Sequence, residues 1–235
     1  MFTLSRRDFL TSTAATTAAL SLGLTPSEIR AAAPPVGKQA AGFYRYKVGD
    51  FEVTQLADGA RTFPMPDTFV VNQKKEDALA AAEAAYLPKG QVTIPFNPMV
   101  INTGSKLVVI DTGNGLGAFE QTKGAVGQMN ANMIAAGIDP AAVDIVIISH
   151  FHGDHIGGLK TADGKPVYPK AEIKVPAPEW AFWTDEGNAA KANGFNKAQF
   201  PNVKKMLDGI DKVTKYEPGS ELPQGWRLYK RRKIR

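Results

Sequence analysis

The chain has 235 residues, 43% of them hydrophobic and 22% charged, which suits one globular domain with a buried core. A formal net charge of +5 points toward an anionic partner, but Lys230, Arg231, Arg232, Lys233 and Arg235 carry all of that excess. The rest balances at 23 basic and 23 acidic residues, which argues against a basic face for nucleic acid. With no cysteine, disulfides, thiolate metal ligands and a cysteine nucleophile are excluded.

In chain order, Ser5-Arg6-Arg7-Asp8-Phe9-Leu10 and the weakly apolar, Ala/Thr-rich stretch 11–24 resemble a twin-arginine export signal. Residues 1–33 are therefore expected to be an address and the protein periplasmic or secreted. The stretch is too short and too polar for a stable membrane span. An extended Pro/Gly/Ala arm follows over 34–42. Residues 43–48 and 51–56 alternate as two strands around Gly49-Asp50, a hairpin signal, and Asp58-Gly59 makes a turn. Residues 60–75 contain prolines and read as an irregular loop over a site. The alanine-rich segment 76–86 predicts a helix ended by Pro88 and Gly90. A second hairpin is expected from 99–102 and 106–111. The glycines at 113, 115 and 117 lack phosphate-loop spacing and read as a mobile loop. Helix is predicted over 124–136, and Asp139-Pro140 opens a short helical turn into an apolar strand. Downstream, 171–175 reads as a strand, and 178–186 and 196–207 as helices.

That apolar strand, Ile145-Val146-Ile147-Ile148-Ser149, leads into His150-Phe151-His152-Gly153-Asp154-His155, which holds all three histidines of the chain. Imidazole and carboxylate are the usual ligands of hydrolytic zinc. At a strand end His150 and His152 point the same way and can converge on one ion. Across the turn at Gly153, Asp154 and His155 can face a second. Two zinc ions so placed would polarise a carbonyl or phosphoryl oxygen and supply the attacking oxygen. Surface histidines without a ligand role are the plain alternative, but three in six residues, with an aspartate between them, favour metal. A Ser/His/Asp triad is not indicated, because every histidine lies in this cluster.

The HxHxDH pattern after an apolar strand, with Leu107-Val108-Val109-Ile110-Asp111-Thr112-Gly113 upstream, resembles the metallo-β-lactamase superfamily. Gly42-Phe43-Tyr44-Arg45, Gly49-Asp50-Phe51-Glu52-Val53-Thr54, Asp58-Gly59, Asn102-Thr103-Gly104-Ser105-Lys106-Leu107 and Phe182-Trp183 are similar to the secreted methyl parathion hydrolase and lactonase-like group. The resemblance implies an α/β (α+β) fold, a four-layer αββα sandwich. It implies zinc-dependent hydrolysis of a small ester, lactone or phosphotriester by a metal-bound hydroxide. His150 and His152 would bind one zinc, and Asp154 and His155 the other. Asp154 would also orient the attacking oxygen, and Asp111 would support the ligands without binding metal. Trp183 and Phe119 would line an apolar substrate pocket. A dimer is compatible with it.

The family also uses two later histidines and a bridging aspartate. No histidine follows position 155, and Asp185, Asp208 and Asp211 lie in no matching context. The domain is therefore expected over 34–223 with its second half incomplete. Residues 224–235, including Trp226-Arg227-Leu228-Tyr229, are expected to be an aberrant basic tail left by a frameshift or premature stop near Gln224. An inner sheet face left open to water is a further expectation, as are weak zinc binding and impaired activity. The alternatives are a non-catalytic periplasmic metal-binding protein and a half-domain completed by a partner chain.

Overall fold

In the computed structural model the described residues are 36, 37, 39–219, 221, 222, 226 and 227, the last four by backbone only. The expected signal at 1–33 and nearly all of the tail at 224–235 lie outside them. Met1–Ala40 and Ala41–Arg235 are separate compact units, and every strand and helix named below belongs to the second.

Seven strands form the main sheet: β1 (Phe43–Val48), β2 (Phe51–Leu56), β5 (Met99–Asn102), β6 (Leu107–Ile110), β7 (Ile145–Ile147), β8 (Glu172–Pro176) and β9 (Val213–Tyr216), in the order β1-β2-β5-β6-β7-β8-β9. The first four are antiparallel neighbours, with short turns joining β1 to β2 and β5 to β6, and β6 to β9 run parallel. Parallel strands need crossovers. Helices supply them: α2 (Gly115–Gln121) and α3 (Met129–Ala135) between β6 and β7, then α5 (Ala177–Trp183), α6 (Glu186–Lys191) and α7 (Gly194–Leu207) between β8 and β9. A separate hairpin pairs β3 (Gly59–Pro64) with β4 (Gln91–Phe96), and α1 (Lys75–Ala84) lies between its strands in sequence. The short strands β10 (Glu221–Leu222) and β11 (Trp226–Arg227) pair with each other. The result is a mixed α/β fold, with one sheet and its helical layer built from the described residues.

The two faces of the sheet differ. Val100, Val109, Val146, Ile173 and Val175 meet Met129, Met133, Trp183, Phe200 and Val203 of the helices in one continuous core. Strand β7 is buried on both sides, as its unbroken Ile-Val-Ile sequence requires of a central parallel strand. On the other face Val53, Ile101, Val108, Ile145 and Ile147 are also buried. The expected opening of that face to water is thus confined to the β1 edge, where Tyr44 and Val48 are exposed.

Several predicted elements change. Residues 60–75 do not form one loop, because 59–64 pair along their whole length with 91–96, a partner too remote for local pattern to reveal. The 113–117 glycines do not remain a loop, since Gly115 begins α2. The predicted helix 124–136 shrinks to Met129–Ala135, because Gly124 and Gly127 adopt φ of 85° and 82°, outside the right-handed helical region. One residue underlies both of the last two changes. The fully buried carboxylate of Asp58 accepts hydrogen bonds from Asn114 N (2.7 Å), Asn114 Nδ2 (2.9 Å) and Met129 N (2.9 Å), and so fixes where each helix starts. The predicted helix 178–186 ends at Trp183, and α6 starts anew with Asp185 accepting from Asn188 N.

Candidate metal centre

Ligands in open α/β sheets sit beyond the carboxyl ends of parallel strands, and the cluster lies there. Strand β6 leads into Asp111, and β7 leads into Ser149 and His150. Alternation continues past β7. Phe151 is fully buried in the core while His150 and His152, on either side of it, are only partly buried. The turn α4 (Gly153–Ile156) then brings Asp154 and His155 back toward them.

Backbone contacts lock this loop against the one after β6. Thr112 donates to His155 O through both its amide (2.7 Å) and its hydroxyl (2.9 Å). Gly158 lies so close to Thr112 that any Cβ there would collide with the Thr112 carbonyl oxygen. From the helical layer, Glu179 Oε2 accepts from Phe151 N at 3.0 Å and from Trp183 Nε1 at 3.0 Å, tying α5 to the ligand loop.

The polar partners set which nitrogen each histidine presents. Asp111, at φ 57°, turns its carboxylate under the loop, where it accepts from Ser149 N (2.8 Å) and Ser149 Oγ (2.8 Å). The same carboxylate sits 2.7 Å from His155 Nδ1. Because the Ser149 hydroxyl proton goes to Asp111, Ser149 Oγ can only accept from His150 Nδ1, 3.0 Å away. With their Nδ1 atoms protonated, both His150 and His155 offer Nε2 outward.

Two donor pairs result. His150 Nε2 lies 3.2 Å from His152 Nδ1, and His155 Nε2 lies 3.2 Å from Asp154 Oδ2. Two ligands at about 2.05 Å from one tetrahedral zinc stand about 3.3 Å apart, so each pair fits one edge of such a site. Among the described residues no group of three or more His, Asp or Glu side chains could hold a metal ion. The four side chains therefore stand as two separate pairs, not as one cluster.

Electrostatics separates the histidines. Burial, reinforced by the neighbouring His155 and His152, pushes His150 down to about 4, leaving it neutral with a free lone pair. Burial also opposes charge on His155, but hydrogen bonds and attraction from Asp111 and Asp154 outweigh it and lift His155 to about 9, so a metal at Nε2 would have to displace the proton shared with Asp154. For Asp154 burial acts to raise the pKa, and His155 overcomes it, holding the carboxyl below its ordinary value.

Of the remaining expected residues, Trp183 is buried with its ring 6.2 Å from that of His152. It lines a cavity of about 600 Å³ with Trp180 and Phe200, on the α5–α7 side. Asp154 lines a different cavity of about 500 Å³, whose aromatics are Phe63, Phe96 and Phe195. Phe119 is half-exposed and lines neither. Sequence reasoning missed Ser149, Glu179 and Asp58. A polar residue directly ahead of His150 was the available signal for Ser149. Glu179 acts across a long separation and left none, and Asp58 showed only as part of an Asp-Gly turn within the resemblance, with no sign of its partners.

The sequence pattern of the metallo-beta-lactamase superfamily matches residues 96–230, and that of a twin-arginine translocation signal matches residues 3–23. The chain thus carries a twin-arginine export signal, directing it to the periplasm or to secretion. No helix among the described residues is long and apolar enough to cross a membrane. Among curated proteins none matches. The structure is similar to that of the hydrolase AbOPH in the beta lactamase superfamily, with a TM-score of 0.67 and 28% identity, covering 81% of this chain and 65% of that one. It is also similar to AidC, a dizinc quorum-quenching lactonase in complex with a product, with a TM-score of 0.68 and 25% identity, covering 77% of this chain and 63% of that one. The chain therefore spans just under two thirds of the length of each.

Proposed function

We propose, for a chain that belongs to the metallo-β-lactamase superfamily, a zinc-dependent hydrolase of small esters, lactones or phosphotriesters. His150 Nε2 and His152 Nδ1 would hold one ion, and His155 Nε2 and Asp154 Oδ2 a second. The observation that carries this reading is the pair of 3.2 Å donor separations, each at a tetrahedral edge. The hydrolase and the dizinc lactonase among its structural relatives support it.

Zinc bound there supplies Lewis acidity toward a carbonyl or phosphoryl oxygen and an activated water. The chain's own groups do the rest. Asp111 and Ser149 hold the Nδ1 protons of His155 and His150, so that both rings present Nε2. The carboxylate of Asp154 lines the 500 Å³ cavity, where it can accept a proton from, and so orient, the attacking water. Phe151, clamped by Glu179, keeps the two flanking histidines turned outward.

Catalytic zinc is usually held by three protein ligands, so two donors per ion predict loose binding and slow turnover. The test is hydrolysis of a γ-lactone, an aryl ester and an aryl phosphotriester by the purified chain, with added zinc and after chelation. Slow, zinc-dependent hydrolysis of at least one is expected. Hydrolysis that survives chelation, or none at saturating zinc, would overturn the reading, and zinc uptake without any turnover would leave a non-catalytic metal-binding protein.

A further inference from the structure

We propose that Gln199 is a specificity-determining residue, accepting a hydrogen bond from the N–H of a secondary amide in the substrate; this rests on the hydrolase reading. The cavity beside Asp154 lies between the β3–β4 hairpin and α7. On the hairpin side it is lined by Phe63, Ile94 and Phe96 beside the charged Arg61, and on the α7 side by Gln199 and Asn202 with Phe195, Lys205 and Met206. These two stand close to one helical turn apart, and both amide heads face Gly153, the residue before Asp154. A Cβ placed on Gly153 would lie 3.3 Å from Asn202 Nδ2 and 3.6 Å from Gln199 Oε1.

Gln199 Oε1 is buried and has no hydrogen-bond partner among the described residues. Buried polar atoms are nearly always paired, and leaving one unpaired is unfavourable. The helix cannot readily turn to relieve it, because the adjacent Phe200 and Val203 are anchored in the core. A bound donor relieves it instead. Gln199 Oε1 as acceptor matches the N–H of a secondary amide, whose C=O then points away from it. Phe63, Ile94 and Phe96 suit a hydrocarbon or aromatic group carried on that amide. An ester in the same place offers no N–H and leaves Gln199 unpaired, which is the basis of discrimination.

The test is equilibrium binding of N-benzylacetamide and N-benzyl-N-methylacetamide to the full chain by ligand-observed NMR. The two probes differ at the N–H, and neither carries a scissile ester, so the result is independent of turnover and of metal. The secondary amide is expected to bind about fivefold tighter, the worth of one net hydrogen bond. In Gln199→Met the two probes should bind alike, while Gln199→Glu, which keeps an acceptor, should retain the preference. The wild type and Gln199→Glu decide the matter even if Gln199→Met fails to fold. No preference in the wild type, or one that persists in folded Gln199→Met, would overturn the assignment and leave Gln199 to a water molecule. An amide preference without zinc-dependent hydrolysis would sink the hydrolase reading and spare this one; hydrolysis without the preference would do the opposite.

Discussion

The metal-donor set depends on one carboxylate that touches no metal in the proposed site. Asp111 receives Ser149 N, Ser149 Oγ and His155 Nδ1, and so sets the orientation of two of the three histidines. Replacing it by Asn in Asp111→Asn keeps the shape but removes the charge. Zinc affinity is expected to fall about 10–100-fold, the usual effect of losing such a partner, as read by competition with a chromogenic chelator. Unchanged affinity would show that Asp111 does not orient the ligands. Asp58 plays a purely architectural part. Removing its fully buried carboxylate in Asp58→Ala strands three donors and is expected to cost about 3 kcal/mol or more, measured by urea denaturation. The histidine cluster was legible in sequence because its residue types are rare and adjacent. Asp58 was not legible, because its partners lie 56 and 71 residues away and the local text reads only as an Asp-Gly turn.

Among the elements, the ligand loop works as a wedge between two layers. Phe151 fills the core below while the loop after β6 grips it from the side. Phe151→Ala is expected to destabilise by about 3–5 kcal/mol through the cavity it leaves. Gly158→Ala must push the two loops apart, because a Cβ meets the Thr112 carbonyl. An overpacking cost of about 1–3 kcal/mol should be accompanied by weaker zinc binding, since the same contact seats His155. A Gly158→Ala protein with wild-type stability and zinc affinity would refute that coupling. The β1–β2 hairpin and the apolar β7 were legible, because their patterns are local. The pairing of β3 with β4, the starts of α2 and α3 and the existence of β9 were not, because each depends on contacts remote in sequence.

For the whole molecule, the export signal and the fold make separate demands. Twin-arginine export is read from residues 3–23, so Arg6→Lys combined with Arg7→Lys is expected to leave the precursor in the cytoplasm, as cell fractionation would show. The sheet buries its helical face and the centre of its other face, leaving Tyr44 and Val48 exposed at the β1 edge. Around this frame the described residues gather His150, His152, Asp154 and His155 into the two pairs proposed to hold metal. Calorimetric titration of zinc into the purified chain, and into the variant combining His150→Ala, His152→Ala, Asp154→Ala and His155→Ala, tests that gathering most directly. Zinc uptake by the wild type that disappears in the variant is the expected result. Equal zinc uptake by both proteins would contradict it.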